Sequence, residues 1–145
     1  MLDTAPQSPW IIVLAAGDGR RLATLTRDPT GTVVPKQYCS LRGGRSLLGS
    51  TLDRARRLAP RERIVTVVAR AHQRWWSREF ADWPDQSIVV QPANRGTAAG
   101  ILLPLRAILA RDPEAVVAVL PSDHFVADDE PFSAALRYHS RVRGS

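Results

Sequence analysis

Short runs of β-branched and apolar residues alternate along this chain with stretches whose apolar positions recur every three or four residues. The runs are Trp10–Leu14, Ile64–Val68, Ile88–Val90 and Val116–Leu120. They are continuously apolar, the pattern of strands buried on both faces. Between and after them the period lengthens. Leu48, Leu52 and Ala55 with Leu58 and Ala59 fall on one helical face, as do Trp76, Phe80 and Trp83, and Ala98, Ile101, Leu102, Leu105 and Leu109. A last helix is expected after Asp128-Asp129-Glu130-Pro131, with acids and proline in its first turn and Phe132, Ala135 and Leu136 as its stripe. Pro104 interrupts the third helical pattern, so a bend or a late start is expected there. Strand–helix repetition of this kind predicts an α/β sandwich with a mostly parallel sheet. Residues 23–44 read as one long irregular connection, a length that usually serves function. Tyr138 to Ser145 read as a frayed polar end. Four strands ending in a helix leave such a sheet short of a closing strand, so residues 1–145 read as the first part of a larger domain.

Composition changes this picture little. At 145 residues, with 44% hydrophobic and 23% charged residues, the chain suits one soluble domain. Its single cysteine, Cys39, excludes an internal disulfide and a multi-cysteine metal site. No apolar run reaches membrane-spanning length and the first residues lack a secretory pattern, so a cytoplasmic setting is expected. The net charge of +6 calls for an anionic partner. Nucleic acid is the weaker reading, because the basic residues are scattered rather than gathered in one stripe.

The chemistry-bearing stretches follow the expected strands. The first is Leu14-Ala15-Ala16-Gly17-Asp18-Gly19-Arg20-Arg21-Leu22, with Pro35-Lys36 downstream. Small residues and two glycines let backbone amides close on an anion, while Arg21 and Lys36 offer cations. The dinucleotide fingerprint fails, since Leu22 stands at its third glycine, and no Walker Gly-Lys-Ser/Thr follows. A tight turn with solvated arginines explains the spacing equally well. The second stretch is Gln91-Pro92-Ala93-Asn94-Arg95-Gly96-Thr97-Ala98-Ala99-Gly100. Gln91 can pair with a base edge, Gly96 admits a flat ring, and Thr97 suits a helix start. The third is Leu120-Pro121-Ser122-Asp123-His124. Asp123 stands on the rim where parallel sheets bind ligands and could hold a hard cation. His124 could be a packed loop residue or a ligand.

Together these stretches resemble the nucleoside-diphosphate-sugar pyrophosphorylases, and among them the mannose-1-phosphate guanylyltransferases. The resemblance implies a Rossmann-like nucleotidyltransferase fold, three-layered α/β/α, of which this chain is the N-terminal, nucleotide-binding portion. It implies a loop (Leu14, Ala15, Ala16, Gly17, Gly19, Arg20) wrapped around a triphosphate. Arg21 and Lys36 then act on its charge, Gln91, Asn94, Arg95, Gly96 and Thr97 hold the base, Ser122 and His124 lie beside the nucleotide, and Asp123 binds Mg²⁺. Gln91 and Gly96 depart from the Glu and Asn of that family's segment, so the base is open, with GTP favoured. Pro35-Lys36-Gln37-Tyr38 is also similar to the cytidylyltransferase of isoprenoid synthesis, which lacks the other two stretches.

The implied reaction joins a sugar 1-phosphate to a nucleoside triphosphate, releasing pyrophosphate. The family's sugar-binding segment, with a Glu-Lys-Pro motif and a second metal carboxylate, is expected beyond Ser145. Two readings therefore stand side by side: an enzyme represented by its first portion, and a nucleotide-binding module without turnover of its own. Oligomeric state is open.

Overall fold

The computed structural model describes residues 8–19 and 24–142, with backbone only for 138–142. Four strands form one parallel sheet in the order β3-β2-β1-β4. They are β1 (Trp10–Ala15), β2 (Ile64–Ala69), β3 (Ile88–Gln91) and β4 (Val117–Pro121). Register is continuous across the centre: Ile12 faces Val65 on one side and Val119 on the other. Each apolar run thus became a strand, within a residue or two of its expected ends.

Strand periodicity divides the core in two, because successive side chains point to opposite faces. Ile11, Val13 and Ala15 face one cluster with Leu48, Leu52 and Ala55. Those three lie on α1 (Leu47–Arg56). Trp76, from α2 (Gln73–Glu79), packs on the same side. So do Phe132 and Leu136, from α4 (Asp129–Val142). Trp10 and Ile12 face the other cluster with Ile108, from α3 (Gly96–Arg111). The result is the three-layer α/β/α arrangement.

Several details depart from the pattern. Only β1 and β2 are fully covered. β3 and β4 lie at the sheet's two edges among the described residues, and Val90 and Val119 remain partly exposed. Trp83 lies beyond α2, yet still packs on the core with Phe80. In α4 the buried position is Ser133, while Ala135 is exposed. The backbone of α4 runs through Tyr138 to Val142, so the expected fraying does not begin at Tyr138.

Helix α3 differs most. It does not start late: it begins at Gly96 and runs through Pro104 to Arg111. Its buried line is Gly100, Pro104 and Ile108, spaced by four, whereas Leu102 and Leu109 face solvent. Pro104 removes one helix donor, the partner that the Gly100 carbonyl would otherwise have. Burying the proline ring against the sheet offsets part of that loss. Nor does Thr97 cap α3. Asn94 Oδ1 accepts from the Gly96 N–H at 2.9 Å, and Thr97 already lies in the first turn.

Candidate functional site

The sheet order contains one reversal. From β1 the chain steps outward to β2 and β3, then returns to lay β4 on the other side of β1. Loops leaving the carboxyl ends of β1 and β4 diverge there, which opens a crevice. A cavity of about 370 Å³ occupies it. All three chemistry-bearing stretches reach it: Leu14, Ala16, Gly17 and Gly19 from the first, Gln91, Asn94, Gly96 and Thr97 from the second, Ser122 and Asp123 from the third. Lys36 lines it as well.

Each loop is tied in place. Ser122 grips the end of β1, its Oγ donating to the Leu14 carbonyl at 2.6 Å and its N–H donating to the same oxygen at 3.2 Å. Asn94 Nδ2 reaches Asp18 Oδ2 at 3.4 Å and so links the second stretch to the first. Gly19 has φ +62°, and a Cβ there would stand 3.1 Å from the Lys36 nitrogen. Glycine is therefore needed for both the left-handed turn and the close approach. Across the mouth, Lys36 Nζ stands 4.0 Å from Asp123 Oδ2, and His124 Nε2 lies 3.6 Å from Asp123 Oδ1. Lys36 and Asp123 lie far apart in sequence, and the fold brings them together from separate loops.

Not every candidate lines the cleft. Ala15 is buried beneath the loop, Arg95 is exposed, and His124 touches Asp123 from outside the cavity lining. Arg20 and Arg21 lie outside the described residues. Gln37, Gly100 and Pro121, which belong to the quoted stretches but were given no role of their own, line the cavity too, as does Val67 from β2. Gln37 follows Lys36 in a short 3₁₀ turn, Lys36–Tyr38, and is 3% exposed. An irregular loop gives no periodicity from which such burial could be read. Gly100 sits one α3 turn above Gly96, and a Cβ on it would approach Gln91 Nε2 within 3.5 Å.

A cation at this site must be judged from its donors. Among the described residues no three His, Cys, Asp or Glu side chains gather as a ready-made metal cage. Mg²⁺ needs none, since it takes one or two carboxylates and completes its shell with phosphate oxygens and water. Asp123, half-exposed on the rim, fits that limited role.

Below the cleft lies an aromatic group. His72 is buried, edge-on to Tyr38 and Trp75, and Tyr38 stacks on Trp75 at 6.0 Å. Arg74 covers the Trp75 ring at 4.0 Å. Burial pushes the Tyr38 hydroxyl upward and the His72 imidazole downward from their ordinary pKa values, the Asp18 charge partly opposing the latter shift. Burial also raises the Cys39 thiol, which weakens the case for a reactive cysteine.

A parallel sheet with a crevice at its reversal defines the class: an α/β protein built to hold a ligand at the carboxyl ends of its strands. Sequence comparison names the family. Residues 11–144 match the nucleotidyl transferase model, and the chain belongs to that family. It is 31% identical over 130 residues to mannose-1-phosphate guanylyltransferase of Escherichia coli K12, covering 87% of this chain and 26% of that one. The xanthan biosynthesis protein XanB of Xanthomonas campestris is 31% identical over 86% of this chain, with 26% of its own length covered. A crystal structure from Thermus thermophilus, described as a mannose-1-phosphate geranyltransferase, superposes with TM-score 0.73 at 32% identity, covering 91% of this chain and 37% of that one. This chain thus spans about a quarter of the curated relatives it matches.

Proposed function

We propose that the crevice holds a nucleoside triphosphate with Mg²⁺, GTP being favoured, and that it is the nucleotide half of a mannose-1-phosphate guanylyltransferase site. The observation that carries this reading is the approach of Lys36 and Asp123 at the mouth of a cleft whose floor is the Gly17–Gly19 loop. A cation and a carboxylate at 4.0 Å, both partly exposed, suit a ligand that brings negative charge and a metal together. Bound with the triphosphate, magnesium would supply charge neutralisation at the phosphates, and Asp123 is the residue that would hold it.

In the reaction proposed, a phosphate oxygen of the sugar 1-phosphate attacks the α-phosphorus in line. The bond from that phosphorus to the β-phosphate bridging oxygen breaks, and pyrophosphate leaves with the electron pair. No covalent bond to the protein forms. Lys36 lowers the cost of charge on the phosphate oxygens, the glycine loop fixes the chain of phosphates, and Gln91 with Gly96 faces the base. Arg21 shares that charge-neutralising role in this scheme, as the family resemblance implies. The guanine preference and the mannose 1-phosphate acceptor follow the names of relatives about 30% identical.

A thermal-shift panel of GTP, ATP, CTP, UTP and dTTP, each with Mg²⁺, tests the base, since a ligand that binds only the folded state raises its stability. The largest shift is expected for GTP; equal shifts for all five would overturn the guanine assignment. The 145-residue chain is expected to bind GTP without forming GDP-mannose, and product from GTP and mannose 1-phosphate would refute that second statement.

A further inference from the structure

We infer that Gln37 is a positioning residue for the triphosphate: it sets the shape of the Ala15–Gly19 loop by holding two of that loop's carbonyl groups. The inference rests on the nucleotide reading of the cleft and adds a residue to it. Gln37 Nε2 donates to the Ala15 carbonyl at 2.9 Å and to the Gly17 carbonyl at 2.9 Å. Both partners are pure acceptors, so the amide must present its NH₂ to them, and both of its hydrogens are used. The side chain is buried, so water offers the two carbonyls little substitute. Tyr38 adds a third, longer bond, its hydroxyl donating to the Ala15 carbonyl at 3.3 Å.

The consequence follows from peptide geometry. No described peptide bond is cis. In a trans peptide the carbonyl of one residue and the N–H of the next point in opposite senses. Holding the Ala15 and Gly17 carbonyls toward Gln37 therefore turns the N–H groups of Ala16 and Asp18 away from it. The Leu14 carbonyl, one residue earlier on β1, is the one taken by Ser122 from the β4 side. The alternation along β1 thus sends the Ala16 amide toward the β4 side, where Asp123 stands. Backbone amides turned away from the protein's own acceptors in this way suit a bound anion. Lys36 supplies charge for that anion and its neighbour Gln37 supplies the backbone orientation, from one short turn.

Gln37→Met keeps the length and loses both donors. Tyr38→Phe loses only the weaker one. Binding of GTP–Mg²⁺, of inorganic tripolyphosphate and of guanosine is measured by titration for the unaltered chain and both variants. In Gln37→Met, affinity for GTP and tripolyphosphate is expected to fall about tenfold, the order of one well-made hydrogen bond, with guanosine binding unchanged. Tyr38→Phe should show a smaller loss of the same selectivity, and Gln37→Asn, which keeps the amide but shortens its reach and is titrated in the same way, carries the test if Gln37→Met does not fold. A purely structural role would weaken guanosine and tripolyphosphate together; that outcome, or no loss for either, overturns the inference. Failure of the unaltered chain to bind any triphosphate overturns the nucleotide reading itself.

Discussion

Asp123 and Lys36 act on the same phosphates in this account, yet they answer to different removals. Lys36→Ala removes a cation 4.0 Å from Asp123 and is expected to weaken GTP–Mg²⁺ binding about tenfold or more in a calorimetric titration. Asp123→Asn keeps the shape and removes the charge, so its loss should shrink when Mg²⁺ is omitted, whereas that of Lys36→Ala should not. Backbone freedom matters at Gly19, where alanine would meet both a positive φ and the Lys36 nitrogen. Gly19→Ala should cost more triphosphate affinity than Gly17→Ala, which meets nothing within 4 Å. His72 carries the pH dependence. Its folded-state pKa lies below the ordinary 6.5, mainly through burial, so the unfolded chain takes up a proton more readily. The stability it contributes is complete above pH 6.5 and is lost as the pH falls toward its lowered value. Urea midpoints should drop as the pH is lowered below 6.5, and His72→Phe should flatten that drop. An unchanged slope in the variant would assign the acid sensitivity elsewhere.

At the scale of elements, helix ends and interhelical ion pairs differ sharply in weight. Ser46 caps α1, its Oγ accepting from the Gly49 N–H at 2.9 Å while its hydroxyl donates to Glu79. Ser46→Ala is expected to cost about 1–2 kcal/mol in urea unfolding. Asp129, in the first turn of α4, takes the Arg54 Nε at 2.7 Å and draws Arg57 to 3.5 Å. Arg54 is 4% exposed, so removing its partner strands a buried charge. Asp129→Ala should therefore cost about 3 kcal/mol, against less than about 1 for Asp53→Ala, whose partner Arg45 is exposed. Elements also show what pattern alone could carry. The four strands were legible as continuous apolar runs, the mark of strands covered on both sides, although only β1 and β2 are so covered, and β3 and β4 expose Val90 and Val119. The α3 face was not. The pattern put Ala98, Ile101, Leu102, Leu105 and Leu109 on the inner face, but apolar residues also stand elsewhere around this helix, and the sheet took the line Gly100–Pro104–Ile108 with Leu105 beside it. The start of α3 was set locally: Asn94 Oδ1 takes the Gly96 N–H, Arg95 stands at the cap without a side-chain bond, and Thr97 falls inside the first turn.

For the whole molecule, the informative fact is the reversal between β1 and β4. It brings residues from positions 14 to 123 around one cavity, and no local pattern encodes that convergence. The sequence motifs named most of the lining because each stood at a strand's carboxyl end, where parallel sheets place their ligands. Gln37 escaped because its role lies in two backbone carbonyls far from it in sequence. A second cavity, at the opposite edge of β4 and lined by Ile11, Leu58, Ala118 and Leu136 among others, contains none of the motif residues. The two cavities therefore separate the account from its alternatives. The most direct measurement is an amide NMR titration of the ¹⁵N-labelled chain with GTP and Mg²⁺. The expected result is a set of shifts confined to Gly17–Gly19, Lys36, Gln37, Gln91, Asn94, Gly96, Thr97, Ser122 and Asp123, with Ala115–Val119 and Leu136 unmoved. Shifts centred on the second cavity, or none anywhere, would contradict it.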